Sequence, residues 1–190
     1  MTSTGYSQTA MEYYGNGLAK SNLEDNRGAI ADYTKAIEIN PNAALFYSAR
    51  GLAKLGLQDY RGAVADYTKT IELNLEYPNA YYFRGLAKFH LEDFMGAIAD
   101  YTKAINLNPN NSAAYFGRGQ AKFNLEDYRG AIADYSEVIQ LNPNDRLAYF
   151  GRGLSKINLG QQNSGCLDFS KAGELGYSEA YDAIKAFCNN

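Results

Sequence analysis

Aspartate, arginine and tyrosine gather in one short string, DYRGAIADY at residues 127–135, and near-copies of it begin at Asp25, Asp59 and Asp93. Carboxylates beside guanidinium and phenol groups are the materials of acid–base catalysis and of anion binding. That chemistry also needs a nucleophile with a base, a glycine-rich phosphate loop after a strand, or metal-ligand spacing. The string brings none of them. His90 is the single histidine, without a partner acid or nucleophile, and reads as a groove or surface residue. Cys166 and Cys188 beside one histidine form no usual ligand set for a metal. They read as buried or idle thiols, with a disulfide tying down the last helix as the alternative. The sequence therefore points to no catalytic residue, no metal and no cofactor, and the string asks for an architectural account.

Bulk properties narrow the partners. Hydrophobic residues make up 46% of the 190 and charged residues 21%, the balance of an ordinary folded protein rather than a disordered one. The net charge of −3 is the wrong sign for generic binding to nucleic acid or to an anionic membrane. No apolar run reaches the roughly 18 residues of a spanning helix. MTSTGYSQTAMEYYG has neither a basic nor an apolar leader segment, so a cytoplasmic protein is expected, with no membrane insertion.

Periodicity organises everything else. Gly17, Gly51, Gly85, Gly119 and Gly153 stand 34 residues apart, as do Tyr13, Tyr47, Tyr81, Tyr115 and Tyr149. Ala29, Ala63, Ala97 and Ala131 keep the same register, followed by Tyr33, Tyr67, Tyr101, Tyr135 and Phe169. Within one unit Ala29, Tyr33, Ala36 and Ile37 form the apolar stripe of an α-helix. The leading aspartates sit where a carboxylate caps free N–H groups. Asn40-Pro41-Asn42 stops the helix, and its second asparagine is placed to cap the next one. Each unit reads as two helices, and neither helix buries its stripe unless neighbouring pairs stack.

A 34-residue helix–turn–helix with Tyr115, Gly119, Ala131, Tyr135, Ala104 and Pro143 at these offsets resembles the tetratricopeptide repeat. The resemblance implies an all-α, right-handed superhelical α-solenoid of antiparallel helix pairs. Residues 1–9 read as a flexible N-terminal tail, and the repeats as 10–43, 44–77, 78–111, 112–145 and a degenerate 146–179. Residues 180–190 read as a C-terminal capping helix. Two departures stand out. Leu75 takes the place of the expected proline and Pro78 comes three positions later, suggesting a reshaped junction. In the fifth unit Gly165, Cys166 and Gly173 replace Ala, Ile and Ile.

Charged residues beside the stripes suggest a ladder. Asp32, Asp66, Asp100 and Asp134 border the second-helix stripe, and Arg50, Arg84, Arg118 and Arg152 border the first-helix stripe. The first unit has Asn16 instead and no predecessor. Pairing across junctions is the simplest reading: Asp32 with Arg50, Asp66 with Arg84, Asp100 with Arg118, Asp134 with Arg152.

The first helices turn a second face outward, which the resemblance makes a concave groove for a peptide or partner helix. Its candidates are Tyr14 and Leu18; Ser48, Leu52 and Leu55; Tyr82, Leu86, Phe89 and His90; Phe116, Gln120, Phe123 and Asn124; and Phe150, Leu154, Ile157 and Asn158. Some of these apolar groups are needed for stacking alone. Part of the family grips C-terminal carboxylates with a Lys/Asn/Arg clamp; here Tyr, Ser, Phe and Leu hold the matching places, which speaks against a chaperone-tail receptor. The expected function is a protein-interaction module for a protein or peptide ligand, as a monomer or weak homo-oligomer. Self-assembly through the groove or terminal helix is the alternative, and nucleic-acid binding by a helical-repeat protein comes third.

Overall fold

The computed structural model describes residues 3–188, with side chains from residue 9 onward. Among the described residues all regular elements are helices, arranged in two compact units, residues 1–93 and 94–190. The first unit holds α1 (Ser3–Asn22), α2 (Asn26–Ile39), α3 (Ala44–Gly56), α4 (Tyr60–Leu73) and α5 (Pro78–His90). The second holds α6 (Phe94–Leu107), α7 (Ser112–Asn124), α8 (Tyr128–Leu141), α9 (Arg146–Asn158), α10 (Gln162–Glu174) and α11 (Glu179–Phe187). Helix α1 starts at Ser3, inside the stretch expected to be a tail, while residues 1 and 2 lie outside the described residues. The terminal helix spans Glu179–Phe187; residues 189 and 190 are likewise outside.

The turn from first to second helix is set by backbone geometry. Glu24, Gln58, Glu92 and Glu126 take left-handed φ values of 60–61°, and Gly160 takes 74°. Past that residue the chain bonds back to the helix it left: the N–H groups of Asp25, Asp59 and Asp127 reach the carbonyls of Lys20, Lys54 and Lys122 at 2.9 Å. This is the closing bond of a left-handed helix C-terminus. The same aspartates then cap the next helix, accepting from Gly28 N at 2.9 Å, Gly62 N at 3.0 Å and Gly130 N at 2.9 Å.

The linkers between units of the repeat turn on asparagine. Oδ1 of Asn40, Asn108 and Asn142 accepts the N–H two residues on, at 3.2–3.3 Å. Asn74 does the same with Glu76 N at 3.1 Å, so the turn survives without its proline. Pro78 sits in the first turn of α5, where its missing N–H costs nothing. The junction is thus conventional rather than reshaped. The second asparagine of NPN does not cap: Ala43 occupies that place before α3 with no side-chain bond. Before α7 and α9 the caps are Asn111, accepting from Ala114 N at 3.1 Å, and Asp145, accepting from Ala148 N at 3.0 Å.

Alanine and aromatic residues build the cores. In the first unit Ala29, Tyr33 and Ala53 form one buried cluster, and Ala10, Ala36, Ile37 and Phe46 another. In the second, Ala131, Tyr135, Val138 and Ala148 are buried together, with Tyr115, Phe116 and Phe123 packed on them. Successive first helices also touch, α1 with α3, α3 with α5 and α7 with α9. Tyr135 shows why glycine recurs. A Cβ at Gly119 would stand 3.1 Å from its ring and one at Gly151 only 2.7 Å, so two helices close on the phenol from either side.

The degenerate end of the second unit makes room for α11. A Cβ on Gly173 would meet the Tyr181 ring at 3.1 Å, and Ala180 and Ala183 of α11 are buried. Cys166 and Cys188 form a disulfide with Cα atoms 5.8 Å apart. The expectation of idle thiols is therefore corrected. The two cysteines lie 22 residues apart, and α11 folds back along α10 to bring them together.

Candidate functional site

The charged ladder forms, with different partners from those expected. Arg50 grips Asp66 through Nε and Nη2 at 2.9 and 2.7 Å, Arg152 grips Asp168 at 2.9 and 2.7 Å, and Arg118 Nη2 reaches Asp134 at 2.6 Å. These arginines thus pair with the aspartate 16 positions later, on the second helix of their own repeat. The expected pairs of Asp32 with Arg50, Asp66 with Arg84, Asp100 with Arg118 and Asp134 with Arg152 are replaced, because the first-helix side chain points across its own helix pair. A lysine one turn further completes each site: Lys54 to Asp66, Lys122 to Asp134 and Lys156 to Asp168, at 2.7–2.8 Å.

A guanidinium-to-hydroxyl hydrogen bond crosses the junction instead. Nη1 of Arg50, Arg84, Arg118 and Arg152 donates to Thr34, Thr68, Thr102 and Ser136 of the preceding repeat at 3.0–3.2 Å. In the first repeat Asn16 stands at the arginine's position, and Asp32 is met by Lys20 at 2.7 Å. Each guanidinium also lies over a tyrosine of its own helix, 5.4–5.7 Å from the rings of Tyr47, Tyr81, Tyr115 and Tyr149. Hydrogen bonding to Asp168 raises the Arg152 pKa above its ordinary value, against the opposing effect of burial. Asp66, Asp134 and Asp168 are buried and each is held by an arginine and a lysine, so these rungs present no free carboxylate to a substrate.

The uncharged face of the first helices behaves differently in each unit. In the second unit Phe116, Gln120, Phe123 and Asn124 of α7 meet Phe150 and Leu154 of α9 around one cavity of about 320 Å³. Leu147, Gly151, Tyr135 and Tyr177 complete its lining; none of the four is among the groove residues expected from sequence. Leu147 was legible as an apolar residue at the start of a first helix, but Tyr177 comes from the turn after α10 and carries no periodic signal. Phe150 packs edge-on against Tyr177 at 4.9 Å, and Phe116 edge-on against Tyr135 at 5.5 Å. Asn124 and Asn158 each donate Nδ2 to the carbonyl four residues back, at 2.9 Å, which leaves Oδ1 as the outward acceptor. Ile157 turns away to a smaller cavity of about 230 Å³ with Gln162 and Phe187.

In the first unit the candidates divide between packing and exposure. Tyr14 is partly buried against the core, 5.8 Å from Tyr33 and 5.4 Å from Phe46, and burial raises its pKa. Tyr82 sits edge-on to Phe83 at 5.1 Å. His90 stacks flat on Tyr60 at 4.5 Å, with Phe89 edge-on at 5.9 Å. Leu18 and Leu52 are exposed, while Ser48, Leu55 and Leu86 are half-buried. No group of three His, Cys, Asp or Glu side chains gathers as a metal site among the described residues. Nor is any helix among them long and apolar enough to cross a membrane.

Comparison with known proteins places this geometry. A family model described as tetratricopeptide repeat matches residues 78–111 and 112–145, and a second, described as TPR repeat, matches 17–58. The MamA protein crystal structure superposes with a TM-score of 0.85 at 26% identity, covering 96% of this chain and 97% of that one. YrrB, described as a TPR protein with an unusual peptide-binding site, gives 0.83 at 22% identity over 93% and 92% of the two chains, which speaks to fold alone. The first TPR domain of Spaghetti (RPAP3), bound to the HSP90 peptide SRMEEVD, gives 0.61 at 28% identity over 63% of this chain and 94% of that one. Among curated proteins none matches. With its 34-residue period, its helix pairs and these likenesses, the chain is a member of the tetratricopeptide repeat family, an all-α solenoid fold.

Proposed function

We propose that this protein is an interaction scaffold that holds a peptide or a partner segment along the uncharged face of its first helices. The cavity between α7 and α9 carries the reading: aromatic rings and two leucines converge there beside two side-chain amides. Full burial of one such ring contributes about 1.5–3 kcal/mol, while association costs on the order of 4–15 kcal/mol. Several anchors and backbone hydrogen bonds must therefore act together, which suits an extended groove. The peptide-bound RPAP3 domain supports the same use of the fold. A selection from displayed peptides tests it. Wild type is expected to enrich a sequence motif, and Phe89→Ala/Phe123→Ala is expected to lose it; identical enrichment by both would refute groove binding.

The disulfide favours an oxidising compartment, since such bonds persist outside the reducing cytosol, and this runs against the cytoplasmic expectation. Counting free thiols in protein denatured straight from its native source tests that reading. None are expected, and two per chain would restore the cytoplasmic one.

A further inference from the structure

We infer that the α7–α9 cavity selects an uncharged peptide segment that inserts one large apolar side chain, and rejects acidic or carboxylate-terminated peptides. The inference rests on the groove reading above and specifies its ligand class.

Charge is the first argument. The cavity lining contains no ionisable acid or base other than phenols. Four of the five cations on the two helices that form it are committed elsewhere, Arg118 and Lys122 to Asp134 and Arg152 and Lys156 to Asp168; the fifth, Arg146, is exposed at the start of α9 and lies outside the lining. A carboxylate buried in the cavity would lose its water and find no countercharge among the lining residues, a penalty that ordinarily outweighs the dispersion and packing available there. The ion-pair ladder thus does two things at once. It fixes the helix pairs, and it withdraws from the groove the positive charge that an acidic peptide needs.

Size is the second. About 320 Å³ lies at the lower edge of small-molecule sites, which run from about 300 to 1,000 Å³. It suits one large side chain, with the peptide backbone passing over the rim. Phe116, Phe123, Phe150 and Tyr177 supply ring faces and edges for an aromatic or branched aliphatic group, and Leu154 supplies methyl groups.

Hydrogen bonding is the third. The Gln120 carboxamide has no partner among the described residues, and Asn124 keeps Oδ1 free after donating Nδ2 to Gln120 O at 2.9 Å. One turn apart on α7, the two amides offer donors and acceptors to a peptide main chain, which carries both. A carboxylate offers acceptors only.

The test uses the full chain and an array of end-blocked peptides, each with one fixed central residue in a mixed neutral background. Matched peptides ending in a free carboxylate or centred on Asp or Glu form the second arm. Wild type is expected to retain peptides centred on Phe, Leu, Ile or Met. Leu154→Ser should weaken them roughly tenfold or more with an unchanged circular dichroism spectrum, and Gln120→Lys should move preference toward the acidic arm. Preference of wild type for the acidic arm would overturn the ligand class and leave the groove reading standing. Retention of no peptide would overturn both. Equal apolar binding by Leu154→Ser would overturn the placement in this cavity.

Discussion

Gly130 illustrates how much a single residue carries in the recurring string. A glycine early in a helix ordinarily costs about 1 kcal/mol against alanine. Here a Cβ would collide with the Asp127 carboxylate and come within 2.9 Å of Lys122 Cδ, so alanine would push away the cap it should benefit from. A cap contributes about 1 kcal/mol, and the two effects nearly cancel. Gly130→Ala is expected to leave thermal stability nearly unchanged in the wild type and to raise it by about 1 kcal/mol in an Asp127→Ala background, a coupling that a double-mutant cycle of melting curves reads directly. Nothing in the structure explains Arg129.

Tyrosine burial sets a pH dependence at the same scale. Burial pushes the phenols of Tyr67 and Tyr135 well above the ordinary 10.0. Below that value both folded and unfolded chains keep the proton, and no stability is at stake. Above it the unfolded chain ionises first and binds fewer protons, so stability falls as pH rises, by up to about 1.4 kcal/mol per pH unit for each such phenol. Melting temperatures through the alkaline range should drop steeply, and Tyr135→Phe should drop less steeply.

Among the elements, α11 is the one whose attachment differs in kind. It is nine residues long, buries two alanines, and is held by the Cys166–Cys188 bond and by Gln162 Nε2 donating to Phe187 O at 2.5 Å. A helix this short is marginal alone. A crosslink closing a loop of about this length contributes roughly 3 kcal/mol, which is comparable to everything else holding the element. Cys188→Ser, or treatment with a dithiol, is therefore expected to speed amide hydrogen exchange in α11 and the adjoining face of α10 while leaving α7 and α8 protected. Uniform protection after reduction would show that packing alone suffices.

The elements also show where sequence reading reaches. The helix pairs, the aspartate caps and the row of aromatic and amide residues on α7 and α9 that lines the cavity were legible because each is a local pattern repeated in register. The ladder partners were not. Both Asp66–Arg84 and Asp66–Arg50 satisfy the same periodic spacing, and only the direction of the first-helix side chain decides between them. What crosses each junction is a threonine or serine hydroxyl that meets the arginine, not a carboxylate. Non-periodic features were illegible in the same way: Tyr177 enters the cavity from a turn, and the disulfide depends on how the terminal helix folds back. In the fifth repeat the glycines looked like decay, whereas Gly173 makes room for Tyr181.

Across the whole molecule, buried charge and open groove divide the labour. Arginine and lysine at fixed positions satisfy the buried Asp66, Asp134 and Asp168. Removing one partner of such a pair costs about 3–5 kcal/mol, toward the lower end here because Lys122 remains on Asp134 at 2.7 Å. The opposite helix face keeps aromatic and amide groups free of charge. On the proposed function a chain organised this way separates stability from recognition, and variants on the two faces are expected to separate them as well. The decisive measurement is the dissociation constant of one groove-selected peptide for Arg118→Ala and for Leu154→Ser, taken well below both melting temperatures. Arg118→Ala should melt several degrees lower yet bind within about twofold of wild type, and Leu154→Ser should melt normally and bind roughly tenfold more weakly. Loss of binding in Arg118→Ala with full binding in Leu154→Ser would contradict the account.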